Sequence, residues 1–195
     1  MAANATNSNG QDHPRRLVAM VIVDGQDAGQ SHRVSCMGAL IVDLVDGDPR
    51  FALHHHSMLF DMERDGLLAH VRDLSHNRHV VLASAHAFET FADHCHILLD
   101  GLCFLDVVEM DRTIRPTGLT LIYGRERWMD GLAFAFGLPR ARGTDLDSMA
   151  RYAATRAQLA WFAYVSSSLD RRRVRSLFAA YRAWQVLERA RAQRF

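Results

Sequence analysis

The sequence predicts an α/β protein: a mixed sheet with helices on both faces, followed by a basic C-terminal helix. Three observations predict it. The dense apolar run Leu17–Val23 is followed by two more strand-like runs on short connections. Beyond residue 60, segments of helical spacing alternate with short apolar runs. The stretch from Asp170 onward combines arginines with a three-four apolar repeat. Strands that first meander and then alternate with helices build a mixed sheet.

Each element has its own signal. Residues 1–14 are rich in Asn, Ser, Gly and Ala and read as a disordered tail. Residues 17–23 form a strand that ends at Asp24, before a loop holding Gly25, Gly29 and Ser31. Residues 33–45 are a second strand, and Asp46-Gly47-Asp48-Pro49 is a tight turn. Residues 50–56 return as a third strand, completing an antiparallel meander. Residues 61–76 read as a helix, HVVLAS (79–84) as a buried strand, 86–99 as a helix with Phe88, Phe91, Cys95 and Leu98 near one face, and 102–108 as another strand. Arg115-Pro116-Thr117-Gly118 breaks the chain. A helix over 125–136 stops at Gly137 and Pro139. Asp145 caps a long helix over 145–166, whose Met149, Ala153, Leu159, Phe162 and Val165 face inward, and a final helix spans 171–192. The domain reading is a tail (1–14), an α/β domain (15–168) and a basic amphipathic segment (169–195).

The bulk numbers narrow the classes. A chain of 195 residues, 49% hydrophobic and 23% charged, has room for one sizeable core. All 23 basic residues are arginine, and the net charge of +1 hides an asymmetry. Residues 170–195 carry eight arginines against Asp170 and Glu188, a net +6, which leaves −5 on the rest. Such a segment suits an anionic partner. Cys36, Cys95 and Cys103 form no CxxC pair and read as reduced, structural thiols. With no secretory signal and no apolar run of membrane-spanning length, the expectation is a soluble intracellular protein.

Phosphate-binding motifs are missing: there is no GxxxxGK[ST], and Asp24-Gly25-Gln26-Asp27-Ala28-Gly29 lacks the dinucleotide fingerprint. Eleven histidines raise the question of a metal. His54-His55-His56 falls in a strand, so at most two of the three share a face. His94 and His96 are two apart on a helix, which is poor ligand spacing, while His86 lies at helical spacing from Glu89. Solvated or core histidines account for these more simply than a zinc set.

The remaining motifs carry a resemblance. Asp24-Gly25-Gln26 follows the first strand, Ser84-Ala85-His86-Ala87-Phe88-Glu89 follows the strand at 79–84, and Arg142 precedes Asp147 by five positions at the long helix. In this order the chain resembles the DEDD 3′-to-5′ exonucleases, the proofreading branch of the ribonuclease-H-like superfamily, from about Leu17 to Val165. That family has Asp-x-Glu in the first motif, and here the aspartate is kept and Gln26 replaces the glutamate. Phe88 fits the second motif, Glu89 replaces its aspartate, and its His-Asn pair is missing. Arg142 stands where the last motif has histidine, and Asp147 keeps its aspartate. Asp130 or Asp106 fills the third aspartate, with Asp130 slightly preferred because it precedes Phe136-Gly137-Leu138-Pro139.

The resemblance implies a ribonuclease-H-like fold and two-metal phosphodiester hydrolysis, in which carboxylates converge on a pair of divalent ions. Asp24, Glu89 and Asp147 would be the ligands of Mg²⁺ or Mn²⁺, joined by Asp130 or Asp106. The departures oppose efficient catalysis. Gln26 offers a neutral oxygen where a charge is wanted, and Asp27 replaces it only if the backbone bulges. Arg142 stays protonated and is no general base. The expectation is a degenerate exonuclease-like pseudoenzyme, catalytically weak or inactive, that binds single-stranded nucleic acid or a protein, as a viral or accessory factor does. The alternatives are an active Mg²⁺- or Mn²⁺-dependent 3′-to-5′ exonuclease and a structural, oligomeric protein. Each candidate also has a plainer explanation: Asp24 as a turn residue, Glu89 and Asp147 as carboxylates favoured by a helix N-terminus.

The final helix stays open among three readings. Val174, Leu177, Phe178, Tyr181, Trp184 and Leu187 form its apolar face. It docks on the domain with a solvated basic side, or places Arg171, Arg172, Arg173 and Arg175 on phosphates, or forms a homodimer anchored by Tyr181 and Trp184.

Overall fold

A strand whose side chains are apolar on both sides must be covered on both faces, and Leu17–Val21 occupies the middle of the sheet accordingly. The computed structural model describes residues 14–26, 33–59, 73–83, 118–122, 131, 133–138 and 145–192. Its elements are β1 (Arg16–Gln26), β2 (Arg33–Val45), β3 (Asp48–Leu59), β4 (His79–Ala83), β5 (Gly118–Ile122), α1 (Leu146–Ser168) and α2 (Arg171–Ala192). The sheet order is β3-β2-β1-β4-β5. β2 is antiparallel to both β1 and β3, whereas β4 lies parallel to β1 and β5 parallel to β4. The architecture is the expected mixed α/β sheet.

The meander is fixed by its turn. Asp46 and Gly47 both have positive φ, 53° and 89°, between the paired residues Val45 and Asp48. Two left-handed residues in a two-residue loop match the right-handed twist of the strands, which is why Asp-Gly is favoured there. β3 therefore begins at Asp48 rather than at residue 50. It tolerates Pro49 because it is an edge strand of the sheet.

The fifth strand is a correction. It is formed by Gly118–Ile122, a stretch given no strand from the sequence, and Gly118 opens it instead of ending a break. The strand expected at 102–108 lies outside the described residues. So do the helix expected at 86–99 and most of that at 61–76, of which 73–75 is helical.

Leu17, Val18, Ala19 and Met20 are all fully buried, as are Met37, Ala39 and Leu40 on β2 and Val80, Val81 and Leu82 on β4. Alternate residues point to opposite faces, so both faces of the sheet centre are buried. One face is covered by α1. Cys36, Met149, Ala150 and Ala153 form a buried cluster with Val23 and Leu146 against it. Further along α1, Trp161 meets Phe51 edge-on at 5.4 Å and Tyr164 meets His79 at 5.4 Å. Phe136 stacks on Phe162 at 3.8 Å. All five residues expected to face inward on α1 are buried.

α1 approaches the sheet closely because of Gly38. A Cβ there would run into the backbone of Ala153 and Ala154. The alanines at 150, 153, 154, 157 and 160 keep the facing helix surface thin.

Arg78 donates to Asp43 at 3.1 Å, and Arg16 lies 3.8 Å from the same carboxylate. This group ties the start of β1 and the end of β2 to the turn before β4. Gly137, at φ 62°, ends the helical residues 133–135 as expected. Its N–H donates to Phe134, and the N–H of Leu138 donates to Ala133. That pair of bonds is the glycine-terminated helix end called a Schellman motif.

The chain divides between Tyr164 and Val165, within α1, into two units. In the second, α2 occupies the range expected for it and buries Leu177 and Tyr181. Among the described residues, no helix is long and apolar enough to cross a membrane.

Candidate functional site

Parallel strands put their carboxyl ends on one edge of a sheet, and the crevice outside those ends is where open α/β sheets bind ligands. β4 and β5 end level with each other at Ala83 and Ile122, one residue past the Met20–Leu82 pair, and β1 runs on beyond them to Gln26. Met20 pairs with Leu82 and Val81 with Thr120, so the three strands run in step. Asp24 belongs to the carboxyl-end portion of β1.

Asp24 is not a turn residue. β1 continues through Gln26, with Asp24 paired to Ser35, Gly25 to Val34 and Gln26 to Arg33. The ladder to β2 holds the Asp-Gly-Gln segment extended past the end of the apolar run. The plain turn explanation is thereby replaced.

α1 brings a second candidate to the same edge. Its first turn packs where β1 ends: Leu146 and Met149 lie with Val23 and Cys36, and the Cys36 thiol is 3.8 Å from the Leu146 carbonyl. Its later residues pack where β1 begins, since Phe51 and His79 are the sheet positions in register with Val42 and Leu17. The lengths agree: six strand steps from Leu17 to Val23 span ~20 Å, and fifteen helix steps from Met149 to Tyr164 span ~22 Å. α1 thus runs opposite to β1, and its N-terminal residue Asp147 shares the edge of the sheet with the Asp24 position.

The start of α1 is set by local chemistry. The Asp145 carboxylate accepts from the Ser148 backbone N–H at 2.9 Å and from its hydroxyl at 2.6 Å. These bonds hold its carboxyl below the usual carboxylate range. This is the cap expected at Asp145. Asp147 sits in the first turn with a side chain 65% exposed, 2.6 Å from Arg151 one turn on. Exposed pairs of this kind contribute little to stability, and Asp147 also suits the positive end of the helix dipole.

Glu89, Asp106, Asp130 and Arg142 lie outside the described residues, as do His86, His94 and His96. His54 pairs with Ala39 and His55 with Gly38, so those two point to opposite faces. Among the described residues, no three His, Cys, Asp or Glu side chains gather as a metal site would require.

The basic helix is built from its own cap. The Asp170 carboxylate accepts from the N–H groups of Arg172 at 2.8 Å and Arg173 at 3.0 Å, which hold its carboxyl low. Arg171, Arg172, Arg173 and Arg175 are all exposed. Tyr181 is fully buried within the single chain, where Gln185 donates to its hydroxyl at 3.0 Å and Trp184 packs on its ring at 5.4 Å. Burial pushes its hydroxyl well above the ordinary phenol range. Tyr181 is therefore not an exposed dimer anchor. Leu187, expected on the apolar face, is 59% exposed, and its position falls about 120° round the helix from the buried Tyr181.

Two features that matter here carry different signals in the sequence. Gly38 had a signal, a lone glycine inside a strand pattern, which marks a close approach of backbone. The Asp43–Arg78 pair had none, since its partners are far apart in the chain. No protein-family model matches the chain, and no curated protein matches it.

Proposed function

We propose that the sheet and α1 form an exonuclease-like fold whose metal site is degenerate, catalytically weak or inactive, and that the protein acts by binding nucleic acid or a protein partner. The observation that carries the reading is the common edge: Asp24 lies near the carboxyl end of β1, beyond the end of parallel β4, and α1 brings Asp147 to that edge. Two-metal hydrolysis needs carboxylates from separate elements to converge, and this topology is one that allows it. Glu89 follows soon after β4 in the chain, and Asp130 after β5.

Degeneracy rests on chemistry. Gln26 is a neutral ligand in place of a carboxylate, and Arg142 adds a fixed positive charge where the resemblance has a base. The Asp147 carboxylate already has Arg151 as a partner.

Titration of the full chain with Mn²⁺ by calorimetry, beside an Asp24→Asn variant, tests this. The expected result is weak binding of one ion or none. Tight binding of two ions, lost in the variant, would establish the intact site and reject degeneracy.

A further inference from the structure

The arginines of α2 fall into two patterns. Arg171, Arg172 and Arg173 are consecutive and spread round the helix, because neighbours differ by about 100°. Arg171, Arg175, Arg182 and Arg189 are spaced by four, seven and seven residues and stay within about 40° of one another. All four are exposed. They form a straight row about 27 Å long, with steps of about 6, 10.5 and 10.5 Å. The buried side chains Leu177 and Tyr181 lie about a quarter turn or more away. The one acid of α2, Glu188, is off the row and pairs with Arg191 at 2.6 Å.

We propose that this row binds the phosphate backbone of a nucleic acid without reading its bases. A single phosphate would meet Arg171 and Arg175 at most, since each later step along the row is about 10.5 Å. An acidic protein segment would need carboxylates at matching intervals. A nucleic acid satisfies the row in any register, because a duplex presents a charge about every 1.7 Å of its axis. Guanidinium forks suit phosphate oxygens. The rings of Tyr181 and Trp184, which would be needed to stack bases, pack on each other away from the row, so the contact is with backbone alone.

The inference goes beyond the sheet-edge reading, because the row needs no metal. Two triple variants of the full chain with the same loss of charge separate the patterns: R175Q/R182Q/R189Q on the row, and R172Q/R173Q/R191Q off it. All six positions are exposed, and Gln keeps a comparable helix propensity. Far-UV circular dichroism checks that both fold. Binding is read by anisotropy of a fluorescein-labelled duplex DNA and its single strand, in EDTA, across a salt series. The row variant should bind on the order of tenfold more weakly, with a salt slope shallower by about 2.7 for duplex or about 2.1 for single strand. The off-row variant should lose less than half as much. Equal losses, a larger loss off the row, or no binding by the wild type would overturn the proposal. Displacement of the DNA by polyglutamate at equal charge would also overturn it, in favour of an acidic protein. Because EDTA removes divalent ions, failure here leaves the Mn²⁺ titration of the sheet edge unaffected.

Discussion

α1 and α2 have 23 and 22 residues and follow one another almost directly, yet they solve different problems. From Ala157 to Val165, α1 is buried at nine successive positions. A helix buried all round is part of a core. α2 buries only Leu177 and Tyr181, and shows arginines on the rest of its surface. Similar length and neighbouring position therefore say little about role. What separates the helices is which side chains water can reach: α1 is read by the sheet, and α2 by whatever approaches from solvent.

The largest expected effect is on the α1 side. Trp161→Ala removes a fully buried ring that meets Phe51 and should cost about 4 kcal/mol in denaturant unfolding. Gly38→Val comes next, at about 3 kcal/mol, because its new side chain meets the helix backbone rather than a flexible neighbour. A loss below about 1 kcal/mol for either would mean that α1 does not press on the sheet as described.

The pH dependence sharpens the comparison. Burial lowers His79, so its neutral form is favoured in the fold. Its share of stability is present above the ordinary histidine value of about 6.5 and lost as pH falls through the folded value. Burial raises Tyr164 and Tyr181. Their share is present below the ordinary value of about 10 and lost as pH rises toward the folded value. The acid limb should flatten in His79→Gln and stay in Tyr181→Phe, whereas the alkaline limb should flatten in Tyr181→Phe. Denaturant midpoints across pH that leave the acid limb unchanged in His79→Gln would contradict the His79 assignment. The smallest effect belongs to α2: Leu187→Ser, at a site 59% exposed, should change stability by less than about 0.5 kcal/mol. A larger loss would reveal a covered surface there.

Local chemistry made much of the fold legible in the sequence. The Asp46-Gly47 turn, the Asp145 cap, the Gly137 stop and the span of α2 each rest on residues close together in the chain, and so does the inward face of α1. β5 is not legible locally because Gly118-Leu119-Thr120-Leu121-Ile122 directly follows Pro116-Thr117 and is too short to declare its period; what makes it a strand is the long-range pairing with β4. The same holds for β1 beyond Val23, where pairing with β2 carries Asp24 and Gln26 into the ladder. At the candidate site, Asp24 and Asp147 were legible as motif positions. Their common edge came from strand order and helix direction, which no local spacing encodes.

We propose that the sheet edge near Asp24 is a nuclease-like site that no longer turns over efficiently. The measurement that tests it most directly is hydrolysis of 3′-labelled single-stranded DNA and RNA by the folded full chain, with Mg²⁺ or Mn²⁺, beside Asp24→Asn. Little or no cleavage by the wild type, at the level of the variant, is the expected result. Robust metal-dependent cleavage that disappears in Asp24→Asn would contradict it and make Gln26 and Arg142 tolerated members of an active site.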